Sequence, residues 1–378
     1  MSPIAIIDVG STSVGGAILV LNKEKRVQGK YRVIYTTRER INFSERIKSQ
    51  EFFTQMSAAL KRVLGGFTAG GYAPQMVHCF LSAPFYAGQT RVIHYNTAKP
   101  TKISRSLIDD LIKTELQHFE AEHGDQHQLI ENRLLSTKLN GYTISRPYGQ
   151  MATELELINY FSLGSVKILD RLRETIAGTF HHRAIVFHTM AQTYYEVWRQ
   201  IMPEHDSYLL FDIGGEVTEL SVVSRGLLWE TLSFPLGENY IIRQVAKTLK
   251  TTLPEAYSTI KRQVLSEHHE LVSGQLATIS ANLKVEWLAA CRQALAQASS
   301  GCFLPDRAWL IGNRDLVPLF GEWLDGESLD MLMMSDRKLA VDYWRADWFL
   351  PWLEHDAKTR QDLSLMAEVI YCDNIESK

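Results

Sequence analysis

Two copies of one short pattern constrain this chain more than any other feature. Ile4-Ala5-Ile6-Ile7-Asp8-Val9-Gly10-Ser11-Thr12-Ser13-Val14 is a β-branched run, a turn cluster and a second apolar run. Tyr208-Leu209-Leu210-Phe211-Asp212-Ile213-Gly214-Gly215-Glu216-Val217-Thr218 repeats that plan. Each copy reads as strand, turn, strand, with Asp at the strand end and Gly in the turn. The copies lie too far apart for a solenoid period. They imply a duplicated α/β domain with one such hairpin in each half.

The composition of the turn suits a phosphate ligand. Glycines at 10, 214 and 215 let the main chain approach closely, and turn amides form an anion-binding nest. Ser11, Thr12 and Thr218 offer hydroxyl donors. Asp8 and Asp212 are repelled by phosphate but suit the hydration shell of Mg²⁺ or an attacking water. Asp-x-Gly turns also occur at strand ends with no ligand, so the doubling carries the argument.

The remaining composition narrows the class. At 378 residues, two or three folding units are expected. Lys and Arg total 40 against 43 Asp and Glu, a net charge of −3, which gives no general field for nucleic acid or anionic membrane. No apolar run is long enough to span a bilayer, and the N-terminal residues do not resemble a secretory signal. Cys79, Cys291, Cys302 and Cys372 are scattered without metal or disulfide spacing, as expected of reduced cytoplasmic thiols. The pairs His181-His182 and His268-His269 lack carboxylate or thiol partners at ligand spacing. Asp109, Asp110, Glu115, Glu120 and Glu122 read as a solvated helix face.

Five stretches in order resemble the actin-like ATPase superfamily, most of all the bacterial cell-division family FtsA, with the pilus family PilM a near relative. IIDVGSTSVGGAILV is similar to the first phosphate loop and FDIGGEVTELSVV to the second. FHTMAQTYYEVWRQI resembles the connecting helix, FPLGENYIIRQVAKTLKTTLPEAYSTIKR the ribose-side segment, and RAWLIGNRDLVPLFGEWL the adenosine motif. The resemblance implies actin-like (ribonuclease H-like) duplicated domains around a nucleotide cleft, with an FtsA-type inserted subdomain. The expected limits are 1–75 and 166–205 for the first domain and 76–165 for the insertion. The second domain is expected at 206–239 and 305–378, with a helical lobe at 240–304.

The resemblance further implies ATP and Mg²⁺ as cofactors, with weak ATPase activity an open matter. Asp8 would hold the metal and Asp212 would orient water. Gly10, Ser11, Thr12, Gly214, Gly215 and Thr218 would contact phosphates, and Gly237, Lys261, Gly312 and Asn313 the nucleoside. Three departures bear on catalysis. Glu216 stands where a third glycine is usual, Asn313 follows Gly312 in place of a second glycine, and Tyr257 replaces the ribose-side acid. Implied partners are further copies of the chain in a filament and the tail of the tubulin-like division protein FtsZ. The PilM-like alternative implies a cytoplasmic peptide of a membrane protein, and a third reading is a degenerate scaffold without nucleotide. The expected location is the cytoplasm, with the membrane's inner face reached through partners, because DLSLMAEVIYCDNIESK lacks the basic residues of an amphipathic anchor. Trp344, Trp348, Phe349, Trp352 and Leu353 recur at helical spacing, interrupted by Pro351, and read as core packing.

Overall fold

The computed structural model describes residues 3–22, 27–42, 49–181, 184–265, 274–299, 304–325, 327, 338–356 and 359–376. His182, His268–His269 and Cys302 lie outside them. Among the described residues, the first domain is a six-stranded sheet ordered β15-β3-β2-β1-β4-β9. Its strands are β1 (Ile4–Val9), β2 (Ser13–Leu21), β3 (Tyr31–Arg40), β4 (Met76–Leu81), β9 (Ala184–Thr189) and β15 (Glu354–His355). Helices α1 (Ser49–Ala69) and α3 (Val166–Ala177) cover one face, and α4 (Met190–Ile201) and α9 (Leu363–Glu376) the other.

The second domain repeats the core as β12-β11-β10-β13-β14. These strands are β10 (Tyr208–Ile213), β11 (Thr218–Ser224), β12 (Leu227–Phe234), β13 (Arg307–Gly312) and β14 (Ala340–Tyr343). Its outer face packs on α5 (Glu238–Leu249), α6 (Leu253–Leu265), α7 (Gly274–Ala298) and α8 (Val317–Leu324). A third, smaller sheet ordered β5-β8-β6-β7 consists of β5 (Tyr86–Lys102), β6 (His127–Leu139), β7 (Tyr142–Thr143) and β8 (Met151–Ser165). Helix α2 (Arg105–His123) lies on it through Ile108 and Phe119, and its start is capped by the Ser104 hydroxyl accepting from the Leu107 amide at 3.0 Å. The acidic residues of α2 face outward as expected, Asp109, Asp110, Glu120 and Glu122 being exposed. Cys79, Cys291 and Cys372 are buried. No described helix is long and apolar enough to cross a membrane.

Strand alternation positions the site. In β1, Ala5, Ile7 and Val9 face α1 and α3, while Ile6 faces α4 and α9. Asp8 keeps step with Ile6. In β10, Leu209, Phe211 and Ile213 face α5–α8, while Tyr208 and Leu210 join the cluster around Trp198. Asp212 keeps step with Leu210. Both aspartates therefore end on the side where the two domains meet.

Three expectations are corrected. β4 belongs to the first sheet, pairing in parallel with β1 and β9, so the insertion starts at Tyr86 and not at residue 76. The chain after β14 does not stay in the second domain. β15 pairs with β3, and α9 buries Leu365, Met366, Val369, Ile370 and Tyr371, so it needs cover from both the first sheet and α4. The tryptophan-rich stretch is a 3₁₀ turn at Ala346–Trp348 and not a helix, although Trp344, Phe349 and Leu353 are buried as expected.

Candidate functional site

A cavity of about 1250 Å³ lies between the two domains. Asp8, Gly10, Ser11, Thr12, Asp212, Gly214, Gly312 and Asn313 are on its wall. Four other residues singled out in the sequence are not on that wall. The Thr218 hydroxyl is fully buried and donates to the Leu236 carbonyl at 2.8 Å. Gly237 caps α5, Lys261 pairs with Asp315 at 2.8 Å, and Gly215 is pressed against the first hairpin.

The two hairpins touch. Ser11 Oγ accepts the amides of Gly215 at 2.9 Å and Glu216 at 3.1 Å, across the boundary between domains. A methyl group on Gly215 would come within 2.4 Å of the Thr12 side chain, so only glycine permits this contact. Two further turn amides are engaged: Gly10 donates to the Ser13 carbonyl and Gly214 to the Val217 carbonyl, both at 3.0 Å. Glu216 points away from the turn into Arg243, with Asn239 donating to its carboxylate at 2.9 Å.

Asp8 is 3% exposed and pairs with Arg38 at 2.6 Å. Register explains the reach: Asp8 lies opposite Gly15, and Gly15 opposite Arg38. A side chain at Gly15 would meet the Arg38 guanidinium at 2.7 Å, so its absence lets the arginine cross the middle strand. Arg38 also donates to Ser13 Oγ at 2.9 Å and grips Asp362 through Nε at 2.5 Å. None of Arg38, Asp362 or the buried Glu368 behind Asp8 was marked by a motif. The alternation of Arg38 and Arg40 on β3 was the one available signal.

No protein-family model matches the sequence, and no curated protein matches it. Among solved structures, the PilM–PilN type IV pilus biogenesis complex aligns with a TM-score of 0.63 over 98% of this chain and 96% of that one, at 13% identity. A Bacteroides thetaiotaomicron protein with an actin-like ATPase fold aligns at TM-score 0.44, 10% identity and 97% and 95% coverage. MreB5 of Spiroplasma citri bound to ADP aligns at 0.45, 10% identity and 100% and 97% coverage. The fold is that of the actin-like ATPases.

For an actin-like cleft, these residues as arranged do not fit Mg²⁺ and a triphosphate. The carboxylate that would hold the hydrated metal already faces a guanidinium, and a second cation there would be repelled. Three turn amides suited to phosphate are already bonded within the protein. Among the described residues, no three His, Cys, Asp or Glu side chains converge as a metal site. On the nucleoside side, Tyr257 donates to Asp315 at 2.8 Å and receives Arg40 at 3.2 Å, so the missing acid is replaced by an internal network.

The acids around the cleft are proton-loving. Burial, then the charge of Asp8, raise Asp212 to about 7 against the pull of Arg38. Burial, despite the Tyr86 hydrogen bond at 2.6 Å, raises Glu219 to about 8. Burial also raises Glu238 to about 7, with Asn313 and Arg40 pulling it down. The folded state therefore holds protons that the unfolded chain releases, and stability falls as pH rises from about 4 to 8. Asp362 is depressed: burial raises it, but Arg38 and two backbone amides prevail, so its contribution is lost only in acid below that window. We expect the Tm to be higher at pH 5.5 than at pH 8.5 and Asp212→Asn to flatten the slope. A Tm that climbs toward pH 8.5 in the unaltered protein would contradict this.

Proposed function

We propose that this chain is a scaffold of the PilM kind, working by holding a segment of another protein and not by turning over ATP. The observation that carries the reading is the closed pair of hairpins, with Ser11 on the Gly215 and Glu216 amides and Arg38 on Asp8. Nucleophile positioning and charge neutralisation, the parts phosphoryl transfer needs, are thereby engaged internally. Likeness to the PilM–PilN complex over 98% of the chain supports the partner class, a short cytoplasmic segment of a pilus-assembly membrane protein. That alignment takes in the inserted subdomain, so the insertion no longer favours the division-protein reading over the pilus one.

One experiment separates them. Immobilised full-length protein is offered a short cytoplasmic peptide of a PilN-like protein or an FtsZ tail peptide, with and without Mg·ATP. Saturable binding of the first, unaltered by Mg·ATP, is expected. Retention of the FtsZ tail alone would return the chain to cell division, and nucleotide-dependent pelleting would return it to filament assembly.

A further inference from the structure

We propose that the cleft carries its own substitutes for nucleotide and metal: Ser11 ties the two domains across their boundary, and Arg38 neutralises the carboxylates on the first domain's side, with no ligand present. Ser11 Oγ takes the place of a phosphate oxygen, and the Arg38 guanidinium takes the place of a divalent cation. The idea deepens the scaffold reading and rests on it for its biological purpose, but its test involves no partner.

The geometry matches on both counts. An oxygen that receives two successive main-chain amides from a turn is in the position an anion occupies in a nest. Here that oxygen is a hydroxyl of the opposite domain, so the bond that a shared ligand would make between domains is made by the chain itself. A divalent ion in such a cleft collects carboxylates. Arg38 collects them instead: NH2 bonds Asp8 and Asp362, Nε bonds Asp362, and NH1 bonds Ser13, so all three nitrogens are used. Delocalised charge and fixed fork geometry suit a guanidinium to bridging two carboxylates.

Further ties make closure the resting state. Arg40 of β3 lies over the Tyr257 ring of α6 at 4.9 Å while donating to its hydroxyl. Tyr86 donates to Glu219 at 2.6 Å, and the Thr90 hydroxyl to the Leu228 carbonyl at 2.7 Å. Beside the turn, the Glu216 carboxylate is held by Arg243 and Asn239, which fixes the second hairpin against α5. Ser11 thus satisfies two turn amides and Arg38 two carboxylates without addition, and a polyphosphate would have to displace Ser11 to enter.

The test uses the full chain alone. Isothermal titration with Mg·ATP should show no saturable binding up to millimolar concentration, and small-angle scattering should give the same radius of gyration with and without it. In Ser11→Ala, hydrogen exchange at the Gly215 and Glu216 amides should quicken at least tenfold, while the β10 amides keep their rates. This variant removes one hydroxyl at the domain boundary and no core side chain, and the unchanged β10 amides report that the fold is kept. Mid-micromolar binding of Mg·ATP to the unaltered chain would overturn the proposal. So would equal exchange of the two amides in Ser11→Ala and the unaltered protein. Failure of peptide capture would sink the scaffold reading and leave this result standing.

Discussion

Replacing Trp198 with alanine will cost about 3–5 kcal/mol of unfolding free energy, as large-to-small changes at a filled core do. Trp198 is fully buried on α4, and its ring stacks on Trp344 at 5.2 Å and meets Trp309 at 4.6 Å and Trp348 at 5.7 Å. Tyr208 adds a fourth ring at 5.6 Å. One helix of the first domain is thus packed into β10 and β13 of the second and the 3₁₀ turn that follows β14. Removing the central ring leaves a cavity shared by both, so denaturation by guanidinium should split from one transition into two. A single transition with a loss below about 1 kcal/mol would show that the site collapses and the ring is not the common core.

Arg38→Ala is the second large effect, expected at about 3–5 kcal/mol near pH 8, the range for breaking a buried ion pair by removing one partner. Asp8 would remain buried with its charge uncompensated. Burial already raises the pKa of Asp8 against the pull of Arg38, so losing the arginine raises it further. A protonated Asp8 needs no counter-ion, and much of the deficit should therefore vanish when the pH is lowered to 5. Asp8→Asn in the same chain should recover the share of the loss that comes from Asp8, while the share from Asp362 remains. Denaturation curves of the single and double variants at both pH values decide it. An equal deficit at pH 5 and 8 would mean that Arg38 acts through packing over Gly15 and not through charge.

The fold was legible because it is written in short-range patterns. Two strand-Asp-x-Gly turns, a connecting amphipathic helix and a glycine turn before a helix each announce themselves within about fifteen residues. The site was legible only in outline. Asp8 and Asp212 both line one cavity. What engages Asp8 depends on strand register: Arg38 reaches it only because β2 places Gly15 between them, and no sequence period states a register. Asp362 comes from 324 residues beyond Arg38, a pairing with no local signature. Glu216 was visible as an anomaly, yet its partner Arg243 was not, because the turn from β12 into α5 sets their distance. The misplaced start of the insertion has a similar cause. VHCFLSAPFYAGQTR is apolar on both sides of Pro84, and only sheet membership shows that β4 and β5 are different strands.

The polypeptide passes between the domains twice, once after Ile201 and once after Tyr343. Both passages thread the tryptophan-rich cluster, since Trp198 precedes the first and Trp344 and Trp348 follow the second. The lobes therefore cannot drift apart in parallel; the only inexpensive motion is a swing about that aromatic pivot. Ser11 and Gly215 join the lobes outside that aromatic cluster, so their bond resists the swing without sharing in the pivot.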